Sequence, residues 1–308
     1  STPTNLAAIG SNLFFMSNDG LNGSELWQSD GTTVGTTLVK NLQTGGHGSG
    51  TFNLVTTQSG KAFFSTDNAG PGFSNGLYAT NGQPGDAQLL ANFRPSTIRQ
   101  VVGDNSSGWL YRSDGTPGGT ILLTNARPTG APAATTTIDG KLAFLVKKPN
   151  NKLQVWTTDG TPAGTQLWVD TDLSFVSWMR YVSGKLFLAA QGTVAGVGTG
   201  TELWVTDGSA PPTLVVELNP GTSSSLGETP PVVIGDKLYF NGWNAANGEG
   251  VWVTDASTLA TSLFLDPAIT TQAPGSPRAI LYDANGVFYV NYNDNATLNP
   301  GGIWKSDG

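Results

Sequence analysis

The sequence predicts an all-β fold: a seven-bladed β-propeller spanning residues 1–308 as one domain. Three observations carry this. A strand ending in aromatic-x-[ST]-[DN]-[GA] recurs seven times. Its period is about 46 residues, enough for four short strands and longer than the usual coil of a β-solenoid, the alternative fold. The strands are apolar on both faces, as expected for a sheet sandwiched between two neighbours.

The recurring strand reads LWQSDG from Leu26, LYATNG from Leu77, LYRSDG from Leu110 and VWTTDG from Val155. It continues as LWVTDG from Leu203, VWVTDA from Val251 and IWKSDG from Ile303. A second strand precedes it after a tight turn: GSNLFF at Gly10, GKAFF at Gly60, GKLAF at Gly140, GKLFL at Gly184, GDKLYF at Gly235 and NGVFY at Asn285. A third element follows the aspartate, as in GTTLVKNL from Gly35 and GTQLWVD from Gly164. A fourth, such as NLAAI or TTTI, opens each unit. The unit at about 92–123 lacks the glycine-turn strand, so a blade shortened by one strand is expected there. The last copy reaches Gly308 before any outer strand, so an incomplete last blade is expected.

Composition narrows function. Only 12% of residues are charged and the net charge is -7, with a pI near 4.6. An acidic chain with scattered Lys and Arg lacks the basic stripe that nucleic acid requires. No continuous apolar run approaches the roughly 18 residues of a membrane span. There is no cysteine and a single histidine, His47, in a glycine-rich segment. Neither a thiolate nucleophile nor a Ser-His-Asp arrangement is therefore expected.

The stretch ELWQSDGTTVGTTLVK from Glu25, with TELWVTDG at Thr201 and DGTPxGT in the third and fourth units, resembles the ELWxxDGT repeats. These are sometimes grouped with hyalin-like repeats, in large bacterial surface and secreted proteins. The resemblance implies a propeller on an exported or cell-surface bacterial protein. It implies no activity at particular residues. Asn81 in place of Asp, and Ala256 in place of Gly, depart from the pattern.

The repeating acids are read first as backbone devices. Asp30, Asn81, Asp114, Asp159, Asp207, Asp255 and Asp307 sit in Asp-Gly or Asn-Gly turns. There a side-chain oxygen takes N–H groups two residues on, and glycine takes a positive φ. A ring of seven identical tips does not describe one active site. Glu25, Glu202 and Glu249 recur before the aromatic and are expected either to tie a loop to backbone N–H groups or to salt-bridge a neighbouring blade. A calcium site is the alternative for Asp19, Asn22 and Glu25 in NDGLNGSE, since calcium needs six to eight oxygens. No other cofactor is expected.

Function is expected on the face carrying the long second-to-third and fourth-to-first connections. Trp243 and Trp178 fall outside the repeat and are candidate platforms for sugar rings. Arg99, Arg180 and Arg278 lie near the starts of first strands and are candidate anion ligands at the channel mouth. The expected function is a non-enzymatic binding or adhesion module, monomeric or part of a larger chain, whose partner is a glycan or surface protein. A sialidase-like glycosidase or polysaccharide lyase, and a structural spacer, are the alternatives.

Overall fold

A computed structural model describes residues 2–42, 51–56, 60–66, 76–92, 95–98, 102–104, 110–125, 135–265, 288–291 and 303–306. Among them there is no helix, and so none long and apolar enough to cross a membrane. The described chain is strands and turns. Six four-stranded antiparallel sheets and one two-stranded sheet follow in sequence, each strand pairing with the next.

The first sheet is β1 (Thr4–Ile9), β2 (Asn12–Asn18), β3 (Ser24–Ser29) and β4 (Thr37–Lys40). The second is β5 (Thr51–Thr56), β6 (Ala62–Thr66), β7 (Gly76–Thr80) and β8 (Gln88–Ala91). The third is β9 (Pro95–Ile98), β10 (Val102–Asp104), β11 (Leu110–Arg112) and β12 (Ile121–Thr124). The fourth is β13 (Thr136–Ile138), β14 (Lys141–Lys147), β15 (Leu153–Thr158) and β16 (Gln166–Asp170). The fifth is β17 (Phe175–Val182), β18 (Lys185–Val194), β19 (Val197–Thr206) and β20 (Thr213–Val216). The sixth is β21 (Val232–Ile234), β22 (Lys237–Asn244), β23 (Gly248–Asp255) and β24 (Thr261–Leu265). The last is β25 (Phe288–Asn291) with β26 (Ile303–Ser306). Residues 266–287, where its first strand is expected, lie outside the described residues.

The expected loss of a strand near 92–123 is corrected. All four strands are present, with β10 paired to both β9 and β11. What shortens is strand length, since β10 and β11 span three residues each. With so few residues, β10 leaves almost no hydrophobic pattern in the sequence.

The chain forms two compact units. One is Ser1–Pro128 with Gly160–Pro162, the other Thr129–Asp159 with Ala163–Gly308. Within the first unit the first strands of successive sheets, β1, β5 and β9, lie beside one another. Within the second, β13 lies beside β17.

Among the described residues four apolar clusters lie between two consecutive sheets, and a fifth lies on the sixth sheet alone. Along β18, Leu186, Leu188 and Ala190 enter one cluster, facing the fourth sheet. Phe187 and Ala189 enter another, facing the sixth. Side chains alternate sides along a strand, so a run that is apolar at every position fills two cores at once. In the first unit β6 does the same, with Ala62 and Phe64 on one side and Phe63 on the other. The repeated aromatic packs toward the preceding sheet: Tyr78 and Tyr111 in one unit, Trp204 and Trp252 in the other.

In all six four-stranded sheets the third-to-fourth pairing slips by one residue at the step into that aromatic, for example Leu26/Trp27 and Leu203/Trp204. A bulge there adds twist and turns the ring against the neighbouring sheet. The indole N–H is satisfied within the sheet. Trp27, Trp204 and Trp252 donate to the carbonyls of Ser17, Ala190 and Gly242 at 3.0–3.1 Å. Trp156 uses the Gln154 side chain instead, at 3.1 Å.

Candidate functional site

The aspartate turns come first because they repeat. Asp30 Oδ1 accepts the Thr32 N–H at 2.9 Å and its hydroxyl at 2.7 Å. Asp114 and Thr116 repeat both distances. The rest of the motif is now intelligible. Ser29 Oγ accepts the Gly31 N–H and pairs with Thr36 Oγ1 across the turn. The same hydroxyl pair joins Ser113 to Thr120, Thr158 to Thr165 and Thr254 to Thr261. The second glycine is required by contact. A Cβ on Gly35, Gly119 or Gly164 would stand 2.0–2.1 Å from the carboxylate of Asp30, Asp114 or Asp159. The expected Asn81 turn works differently: Asp86 accepts the Asn81 N–H at 2.9 Å and the Thr80 hydroxyl. Asp207 and Asp255 close theirs with Ser209 and Ser257. Asp307 lies outside the described residues.

These carboxylates are held ionised. The Thr32, Thr116 and Ser209 hydroxyls, then the N–H groups of the same residues, lower the pKa of Asp30, Asp114 and Asp207. Asp255 is lowered to about 2, first by the Ser257 hydroxyl and then by two backbone N–H groups.

Of the calcium candidates, Asp19 and Asn22 are hydrogen-bonded to each other. Asp19 Oδ1 accepts the Leu21 and Asn22 N–H groups at 2.9 and 2.7 Å, and its other oxygen takes the Asn22 amide. Those bonds, Asn22's backbone first, lower its pKa. Glu25 is turned inward and fully buried. Among the described residues no three acidic or imidazole side chains gather as around a metal ion.

The other predicted residues divide. Trp178 is 1% exposed and lies inside the core between the fifth and sixth sheets. It presents no face to a ligand, and that expectation is corrected. Its place on β17 puts it under the sixth sheet, which one strand's sequence cannot disclose. Trp243 is 39% exposed, although it sits on β22, paired with Glu249, rather than in a loop. Arg180 lies toward the end of β17, not its start, and donates to the Met179 carbonyl at 2.8 Å. Burial lowers its pKa. Arg99 and Arg278 lie outside the described residues.

Two connections expected to be long loops are hairpins. β18 and β19 run on to a two-residue turn at Ala195-Gly196, where both residues take positive φ. β22 and β23 pair out to Asn244 and Gly248. Phe175, Val194, Val197 and Trp243, exposed by 39–64%, thus all lie at the ends of their strands remote from the D-G-T turns. The fourth-to-first connection Glu217–Pro231 emerges at that same end.

That connection is fastened by a residue whose partners the sequence did not name. Glu202 on β19 is fully buried. One carboxylate oxygen accepts the Leu218 N–H at 3.1 Å, and the other accepts the Ser225 hydroxyl. Burial, above all, raises its pKa to about 7. Glu25 uses the same position in the first sheet, accepting the Leu42 N–H at 3.4 Å. The expected tie between acid and loop is present in both sheets. The readable signal was the spacing from the pre-aromatic Glu to a Leu just beyond the fourth strand.

No protein-family model matches the chain, and no curated protein matches it. Solved structures do. The computationally designed Ika8 protein is 15% identical, with 99% of this chain and 83% of that one covered, at a TM-score of 0.44. The β-propeller domain of the Trilobed protease from Pyrococcus furiosus, described as having an open velcro topology, is 10% identical; 99% and 95% are covered, at a TM-score of 0.42. Puromycin hydrolase is 13% identical at a TM-score of 0.31, and this chain spans 58% of it.

Proposed function

We propose that the chain is a non-enzymatic binding module of an exported or surface bacterial protein, built as a seven-bladed β-propeller. Its ligand, a glycan or a surface protein, lies across the strand ends opposite the D-G-T turns. The observation that carries this reading is a group of exposed apolar side chains at the ends of the fifth and sixth sheets, Trp243, Phe175, Val194 and Val197. The repeated tips at the other end spend their polar atoms on their own backbone. A half-exposed indole offers a flat apolar face to the C–H face of a sugar ring, with its polar edge free for hydrogen bonds. Seven units of about 46 residues suit a ring of blades.

A glycan array is the test. The expected outcome is selective binding that weakens at least about tenfold in Trp243→Ala, as for loss of an aromatic anchor. A silent array favours the spacer reading. Turnover of a bound glycan favours the glycosidase or lyase reading.

A further inference from the structure

The connection Glu217–Pro231 crosses the end of the fifth sheet as a strap. It lies directly on Gly200, where an added Cβ would stand 2.2 Å from the Ser223 carbonyl oxygen. Gly200 itself donates to Gly221 at 2.9 Å. The Ser225 and Leu226 N–H groups donate to Thr201 at 3.1 and 3.0 Å, and Leu226 bridges to Gly242 on β22. Glu202 then holds the strap at two points seven residues apart, Leu218 and Ser225. Ser225 is the hub: its carbonyl also accepts the Trp243 N–H at 2.9 Å. One hydrogen-bonded chain therefore runs from a buried carboxylate, through the strap, to the exposed indole's own backbone.

We propose that Glu202 is a proton-operated latch: protonated, it holds the strap down, and ionised, it loosens the strap and with it the seat of Trp243. A buried carboxylate without a cationic partner is costly when charged. The charged groups on the elements packed around it are Glu217 and Glu228 in the strap, Arg180 on β17, Lys185 at the start of β18, Lys237 at the start of β22, Glu249 and Asp255 on β23 and, in the fourth sheet, Lys141 and Lys147 on β14 and Asp170 on β16. Of these, Glu217 acts on it, as a like charge that further disfavours ionisation. Lys185 and Lys237 stand at the far ends of their strands, and Arg180 is occupied at Met179. The Ser225 hydroxyl and the Leu218 N–H favour the charged form, but burial outweighs them. The proton thus changes sides at about pH 7 while the strap is down and near 4.5 when it is open to water. Raising the pH through that window favours the open strap.

Amide hydrogen exchange on the intact chain, expressed as protection factors, reads the latch without any ligand. Between about pH 5.5 and about pH 8.5, protection across 218–226 and at Trp243 is expected to fall roughly tenfold. In Glu202→Gln it stays flat, because the amide, like the neutral acid, offers an acceptor oxygen and a donor group and does not ionise. Protection along β14 and β15 changes in neither protein. Should Glu202→Gln fail to fold, Ser225→Ala keeps the carboxylate and removes a bond that favours its charge. The midpoint of the wild-type transition then moves to higher pH. Protection independent of pH in the wild type, an equal fall in Glu202→Gln, or an unmoved midpoint in Ser225→Ala overturns the proposal.

Discussion

Asp255 and Glu202 carry the same functional group at opposite ends of the molecule's strands, and the two are driven in opposite directions. Asp255 stands in an exposed turn, where a hydroxyl and two N–H groups favour its charge and lower its pKa to about 2. Glu202 also accepts an N–H and a hydroxyl, yet its pKa rises to about 7 because burial dominates. Similar hydrogen bonds thus give opposite outcomes, and solvent decides which. The repeated tips are insensitive to neutral pH and fasten hairpins. The buried acid is poised where proton concentration matters and fastens a strap.

The largest expected effect is Glu202→Ala. Truncation leaves the Leu218 N–H and Ser225 hydroxyl facing a cavity without an acceptor. Stability in urea should fall by about 3 kcal/mol, at about 1–3 kcal/mol for each unsatisfied buried donor. A loss below about 0.5 kcal/mol would mean the strap holds without its staple. A smaller effect is expected at a turn. Gly35→Ala drives a Cβ into the Asp30 carboxylate and should cost about 1–2 kcal/mol. Added to Asp30→Ala it should cost much less, because the obstruction is already gone. Additive losses would show that Gly35 is needed for something other than room for that carboxylate.

The turns and the repeating antiparallel sheets were legible because they rest on local rules. Asp-Gly between apolar runs forces a reversal, and a strand apolar on both faces needs sheets on both sides. The companion hydroxyls Ser29 and Thr36 were visible as repeated letters, but their pairing depends on the turn bringing residues seven apart together. Trp178 and Trp243, two of the four non-repeat tryptophans, could not be told apart, since exposure depends on which sheet covers a position. Trp178 falls beneath the sixth sheet and Trp243 reaches the end of β22. Glu202 was recognised as a tie, but not as buried. A lone acid before an aromatic reads as a solvent-facing strand position until the strap closes over it. The β18–β19 and β22–β23 hairpins were read as loops because Gly, Asn and Thr dominate them. Cross-strand pairing overrides those residues' weak strand preference.

The opposed carboxylates make one claim that stability itself can test: the strap-bound acid and the turn acids pull the pH profile in opposite senses. A group raised in the folded state contributes fully below its unfolded value, near 4.5, and its contribution is lost as pH rises through about 7. The lowered turn aspartates contribute above 3.8 and lose that contribution as pH falls toward about 2. The decisive measurement is urea unfolding of the wild type and Glu202→Gln across that range, read as the difference between them. The wild type should lose up to about 2 kcal/mol relative to Glu202→Gln between pH 4.5 and 7, the full shift being discounted for residual hydration. A flat difference, or one that favours the wild type as pH rises, would contradict the account.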